Sequence, residues 1–276
     1  MVSAWDPRAG ELVAVGRRFR GRDLDLSRPQ DALHLVAETR PSVVLHLAGG
    51  PRPDLVELYA RNVLTGVHVL EAVAASTPEA EVVLVGSAAE YGAGQGLPLA
   101  EDAPLQPLSE YGRAKVAQTR LGQALAQLAG LRLTLLRPFN VVGADLPVSS
   151  ALGNIRRQLL TGTGSTRTVM CGRTDVRRDF VTVRDVARVM IAMALEPPGG
   201  VVNVCSGQAS SVEDVLRAMC RQLGVDARVE LDPELVALPA GDVVVGNSDR
   251  LNAMGHVLDG SPEHVAAAVL DDAVLA

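Results

Sequence analysis

From residue 11 to about residue 143, short β-branched apolar runs alternate with stretches whose apolar positions recur every three or four residues. That alternation is the signature of βαβ units and a parallel sheet. The runs predict strands at Leu12–Val15, Asp23–Leu26, Val43–Ala48, Val82–Gly86 and Leu133–Arg137. The helical spacing predicts helices over Pro29–Glu38, Asp54–Ala75 and Tyr111–Ala129. Past residue 143 the pattern loosens. It predicts helices at Ser149–Leu160, Val183–Leu195 and Val212–Leu223, with strands near Thr168–Cys171 and Val201–Val204. No internal repeat and no Ser- or Pro-rich linker interrupts the chain. The expectation is an α/β core followed by a smaller lobe.

Composition narrows the class. The 276 residues are 47% apolar and 21% charged, as in an ordinary globular chain, and suffice for a buried core. A net charge of −6 argues against nucleic acid as the main partner. No apolar run reaches the roughly 18 residues of a membrane span, and the N-terminus shows no signal-peptide pattern, so no membrane partner is expected. Cys171, Cys205 and Cys220 have no metal-ligand spacing and read as free thiols in a reducing cytoplasm, with no metal site. Of the 26 basic residues, only Lys115 is a lysine. A GC-rich coding bias explains the excess of arginine. Under that bias, a surviving lysine marks a position that needs a compact ammonium, unless it was left by chance.

Its surroundings favour the chemical reading. Residues 109–115 are Ser-Glu-Tyr-Gly-Arg-Ala-Lys, which places Tyr111 and Lys115 four apart on one helix face. A cation near a phenol lowers the phenol's pKa from about 10 toward working pH, as proton transfer requires. Ser87 follows the buried run Val83-Leu-Val-Gly86, at the carboxyl edge where open α/β sheets place ligands. Its hydroxyl can bond a substrate oxygen and share a proton with Tyr111. Each piece alone has an ordinary structural explanation; the ordered combination is more specific.

The ordered segments carry a family resemblance. Val43-Val-Leu-His-Leu-Ala-Gly49, Asn62-Val-Leu-Thr-Gly66, Arg137-Pro-Phe-Asn-Val141, Arg178-Asp-Phe-Val-Thr-Val-Arg-Asp-Val186 and Asn203-Val-Cys-Ser-Gly207 follow one another along the chain. With Ser87, Tyr111 and Lys115, they resemble the extended short-chain dehydrogenase/reductases, the NAD-dependent epimerase/dehydratase family. The later segments are most similar to its GDP-4-keto-6-deoxymannose reductases.

The resemblance implies a Rossmann-like parallel sheet, with residues 1–145 and parts of 170–205 as the core and residues 146–276 mainly a substrate lobe. It implies a ketoreductase or epimerase acting on a nucleotide-activated sugar, with Ser87, Tyr111 and Lys115 as the catalytic triad. Asp25 and Leu26 match an adenine-contacting pair. Leu47, Ala48 and Gly49 match the cofactor cleft, and Asn62 the helix that follows it. Pro138 and Val141 match the segment holding the nicotinamide ring. Asn140 and Arg178 match substrate contacts, the latter to the diphosphate. Arg17 and Arg18 follow the presumed second strand, where an acidic residue would bind the ribose 2′-hydroxyl of NAD; Gly16 occupies that place instead, which favours NADP over NAD unless the arginines are simply surface ones. A homodimer through the 54–75 and 111–129 helices is also implied.

Two departures qualify the match. Ala88 and Ala89 occupy positions where the family's dehydratases carry acids, and Glu90 is out of step, so ketoreduction or epimerisation is expected rather than dehydration. The family's glycine-rich turn, whose amides hold a pyrophosphate, has no counterpart in the sequence. The first strand and helix are therefore expected to be missing, leaving a gap or a re-paired sheet. One explanation is a start further upstream. Another is a chain that lost dinucleotide binding and turns the same Ser, Tyr and Lys to non-redox acid–base chemistry as an isomerase, lyase or cyclase. A silent binding protein has no reason to keep its one lysine there.

Overall fold

Three of the β-branched runs pair into a parallel sheet. Val43–His46, Glu81–Val85 and Arg132–Pro138 run in register, with Val44 opposite Val82 and Val83 opposite Thr134. Gly200–Val204 lies on the far side of Arg132–Pro138, and Val43–His46 forms the other edge. Val82, Val83 and Leu84 are buried, as a parallel strand covered on both faces must be. The computed structural model describes residue 6 and residues 10–51, 54–94, 97–237 and 241–271. The chain divides into two compact units. One comprises residues 1–92, 104–137 and 187–202, the other residues 93–103, 138–186 and 203–276.

In the first unit, helices Pro29–Thr39, Thr65–Ser76 and Glu110–Ala129 contribute Ala32, Val36, Val69, Leu70, Val73 and Ala126 to a core over Val82. The helix predicted over Asp54–Ala75 is interrupted. It runs as Leu55–Tyr59, a π-helical turn Ala60–Leu64, and Thr65–Ser76. Within the turn the Thr65 amide bonds back to the Ala60 carbonyl, and the Thr65 hydroxyl takes up the Arg61 carbonyl. The Asn62 amide reaches the Leu58 carbonyl at 2.8 Å. Side chains thus insert into the helical ladder, a common origin of such turns.

The strand predicted at Leu12–Val15 does not form. The segment is irregular and its apolar side chains are exposed. A strand needs a ladder partner, and among the described residues no strand pairs with it. The strand predicted at Asp23–Leu26 is displaced toward the N-terminus. Arg18–Phe19 pairs with Arg22–Asp23 around Arg20 and Gly21, both at positive φ, and the Leu24 amide closes the hairpin on the Arg17 carbonyl. That turn geometry suits a two-residue hairpin.

In the second unit, helices Ala151–Thr161, Val212–Leu223 and Pro262–Leu270 enclose a core that includes Ile155, Val215, Met219 and Val265. Strand Thr166–Cys171 pairs in parallel with Asp226–Leu231. The latter strand is largely exposed and polar, so its apolar pattern is weak. Asn140–Val142 pairs with Phe180–Thr182, which joins two of the sequence motifs in one small sheet. All three cysteines are buried and unpaired. Among the described residues, no helix is long and apolar enough to cross a membrane.

Candidate active site

Ser87 is held by the turn that ends strand Glu81–Val85. Its hydroxyl caps the 3₁₀ turn Ala88–Glu90 by accepting from the Ala89 amide at 3.1 Å, and its own amide donates to Glu90 Oε1 at 2.9 Å. This is a capping box, in which two otherwise unpaired backbone donors are satisfied reciprocally. Gly86 makes it possible: a Cβ there would lie 2.3 Å from Glu90 Oε1.

The helix Glu110–Ala129 starts at Ser109, whose hydroxyl accepts from the Gly112 amide at 3.1 Å. A Cβ on Gly112 would meet the Ala89 carbonyl oxygen at 2.5 Å, so the missing side chain lets the helix press against the Ser87 turn. In the first turn of this helix stands Tyr111, close enough to the Ser87 hydroxyl for that group to lower the phenol's pKa. Lys115 is buried, with Nζ 5.9 Å from the centre of the Tyr111 ring. Its ammonium donates to the Val85 carbonyl at 2.9 Å and to Gln118 Oε1 at 2.8 Å.

The electrostatics correct one expectation. Tyr111 is pushed above its ordinary pKa rather than below it. Burial is the main cause; the Ser87 hydroxyl opposes it and the Glu90 charge reinforces it. The phenol is therefore protonated at neutral pH. Lys115 is lowered to about 8 by burial, with the Glu90 charge acting in the opposite direction. His46 is lowered to about 4, first by burial and then by the Lys115 charge, and neither of its buried ring nitrogens has a partner.

Gly49 and Asn62 lie beside the ammonium. A Cβ on Gly49 would approach Asn62 Oδ1 at 2.6 Å and Lys115 Nζ at 3.4 Å. Asn62 is fully buried. It accepts from the Gly50 amide and donates to the Gly50 and Leu58 carbonyls, tying the segment after strand Val43–His46 to the π turn. Leu47 is exposed and Ala48 half-buried.

Asp25 and Leu26 follow the hairpin. The Ser27 hydroxyl and amide hold the Asp25 carboxylate below its usual range, and the Leu26 carbonyl meets His68 Nδ1 at 3.2 Å. Arg17 is exposed on the same hairpin. Pro138, Asn140, Val141 and Arg178 belong to the second unit. There Asn140 donates to the Asp179 carbonyl at 2.9 Å, and Arg178 is lowered by burial and by the Arg173 charge. Asp179, missed in the sequence, is buried and accepts from Ser206, Gly207 and Gly246.

Residues 2–205 match the model of the NAD dependent epimerase/dehydratase family. The chain belongs to that family. A dTDP-6-deoxy-L-talose 4-dehydrogenase (NAD(P)(+)) of Kitasatospora kifunensis is 32% identical over 190 residues, which are 67% of this chain and 58% of the relative. A GDP-6-deoxy-D-mannose reductase of Pseudomonas aeruginosa is 28% identical over 197 residues, 69% of this chain and 64% of the relative. The chain thus spans less than two thirds of the length of either relative. Among solved structures, a putative epimerase of Burkholderia cenocepacia J2315 superposes with a TM-score of 0.80 at 26% identity, covering 92% of this chain and 83% of that one.

Proposed function

We propose that this family member is an NAD(P)-dependent ketoreductase or epimerase of a nucleotide-activated deoxysugar, with Ser87, Tyr111 and Lys115 as its acid–base residues. The observation that carries the proposal is the packing of the Ser87 turn against the start of the Tyr111 helix, with the one lysine ammonium 5.9 Å from the phenol ring centre. The relatives' names support the class, since one is a dTDP-6-deoxyhexose dehydrogenase and the other a GDP-6-deoxyhexose reductase.

The residues fit the nicotinamide end of a dinucleotide. Lys115 uses two of its three N–H donors on Val85 and Gln118, leaving one for a ribose hydroxyl. Gly49 leaves open the space beside Lys115 and Asn62 that a side chain would fill. When bound, the nicotinamide supplies or accepts the hydride. Ser87 orients the sugar oxygen and Tyr111 exchanges the proton with it, so a carbonyl that gains hydride at carbon gains its proton from the phenol. The Tyr111 proton is then restored from solvent. A phenol protonated at rest suits this direction, and ketoreduction is the favoured form. Arg17 in the hairpin supports NADP as the phosphorylated cofactor.

Quenching of protein or NADPH fluorescence on titration tests cofactor binding. Oxidation of NADPH with dTDP-, UDP- or GDP-linked 4-keto-6-deoxyhexoses tests turnover. The expected result is saturable binding that weakens in Lys115→Met. No binding at millimolar NADPH and NADH would defeat the proposal.

A further inference from the structure

Glu90 lies outside the pattern of acids that the family's dehydratases use, yet it is the most completely enclosed charged group near Ser87. Its side chain has no solvent exposure. Oε1 accepts from the Ser87 amide at 2.9 Å. Oε2 accepts from Arg137 Nε at 3.0 Å and from the Thr119 hydroxyl at 2.9 Å. Arg137 is itself buried, donates to the Tyr91 hydroxyl at 2.9 Å and stacks its guanidinium 4.8 Å from the centre of the Tyr91 ring. Strand Arg132–Pro138, helix Glu110–Ala129 and the Ser87 turn therefore converge on one carboxylate, and every group reaching it is a donor.

Such an arrangement is expensive to build. A buried ion pair gains little net stability over apolar residues of the same volume, because removing two charges from water offsets their attraction. Local capping does not require it either, since Ser or Thr with a solvated Glu or Gln caps helices throughout soluble proteins. What the buried pair adds is rigidity at Ser87 and a carboxylate in a region of low dielectric, where burial pushes the Glu90 carboxyl up and the Arg137 charge and the Ser87 and Thr119 donors hold it ionised. The Lys115 ammonium sits on the Val85 carbonyl, next to Gly86, where a Cβ would lie 2.3 Å from Glu90 Oε1; the titratable groups around the ammonium are Glu90, His46 and Tyr111.

We infer that Glu90, anchored by Arg137 and Thr119, is a positioning residue of the proposed acid–base site: it fixes Ser87 through the turn and acts as the buried counter-charge of Lys115. The inference rests on the acid–base assignment of Ser87, Tyr111 and Lys115. Glu90 touches neither a substrate nor a cofactor; it acts through the two residues it holds.

The lone lysine makes the test direct. Lysine labelled with ¹³C at Cε gives a single side-chain signal, whose titration reports Lys115 without any ligand. In Glu90→Gln the midpoint is expected to fall below that of the unaltered chain, because the counter-charge is gone while the shape remains; Glu90→Asp, which keeps the charge, is expected to restore most of it. In parallel, turnover of NADPH with a dTDP-4-keto-6-deoxyhexose is measured for Ser87→Ala in the unaltered and the Glu90→Gln backgrounds. A hydroxyl already released from its position has less to lose, so Ser87→Ala costs a smaller fold-change in the second background. An unmoved Lys115 midpoint, or an equal fold-loss in both backgrounds, overturns the inference. If Glu90→Gln does not fold because Arg137 is stranded, the pair is removed together as Glu90→Gln with Arg137→Met, and the same measurements are compared with the unaltered chain. If the unaltered chain shows no turnover, the proposed reduction fails instead, and the lysine titration alone decides the role of Glu90.

Discussion

Lys115→Met removes the chain's one lysine ammonium while keeping most of its side-chain volume. In the folded protein the ammonium titrates near 8, against 10.5 for an ordinary lysine, chiefly because it is buried. At 1.36 kcal/mol per tenfold change in proton affinity, that fall amounts to about 3 kcal/mol. The folded state holds the proton less firmly than the unfolded chain does. The penalty is therefore fully present below pH 8 and is relieved as pH rises through the window from about 8 to 10.5. Relative to Lys115→Met, the unaltered protein is expected to gain about 3 kcal/mol of stability across that window. No second lysine titrates there, and Cys171, Cys205, Cys220 and the tyrosines are common to both proteins. At neutral pH the variant deprives the Val85 carbonyl and Gln118 Oε1 of a donor, at about 1–3 kcal/mol each, which offsets much of what losing the charge gains. Urea unfolding at several pH values gives the comparison. A stability difference that stays constant from neutral pH to pH 10 would refute the buried, strained ammonium and with it the environment argued for the site.

Four further outcomes are expected. Tyr111→Phe should fold normally and lower turnover by about 10²–10⁴-fold with little change in KM, as steady-state kinetics would show. His46 is held near 4 against 6.5, so its folded pKa is depressed and stability is lost as pH falls from 6.5 toward 4, by about 3 kcal/mol. His46→Phe should lack that loss; parallel acid-unfolding curves would count against it. Gly49→Ala places a Cβ at φ +138 and 2.6 Å from Asn62 Oδ1, and should cost about 1–3 kcal/mol by thermal unfolding. Arg137→Met alone should destabilise by about 3–5 kcal/mol, whereas pairing it with Glu90→Leu should recover most of that, since only the single change leaves a buried charge unpaired.

The sequence by itself determined the elements whose signal is local. Val82 to Leu84 reads as a buried parallel strand because both of its faces are apolar, and it is one. The helices Val183–Leu195 and Val212–Leu223 begin and end where their periodicity does. Tyr111 and Lys115 share a helix face because a separation of four dictates it. The Ser87-Ala-Ala-Glu90 capping box is also legible from its spacing, whereas the burial of Glu90 against Arg137 is not.

Only tertiary structure decided the rest. Leu12–Val15 has a strand's composition without a strand's partner, and pairing is not a property of one segment. The π turn depends on where the Asn62 and Thr65 side chains find carbonyls. The sign of the Tyr111 shift depends on a balance that spacing cannot convey. A lysine four residues away predicts a lowered phenol, whereas burial and a carboxylate 21 positions upstream in the chain raise it. Glu90, Arg137 and Thr119 meet only because a strand end, a neighbouring strand and a helix converge, and the charge at the site is set by groups distant in sequence and adjacent in space.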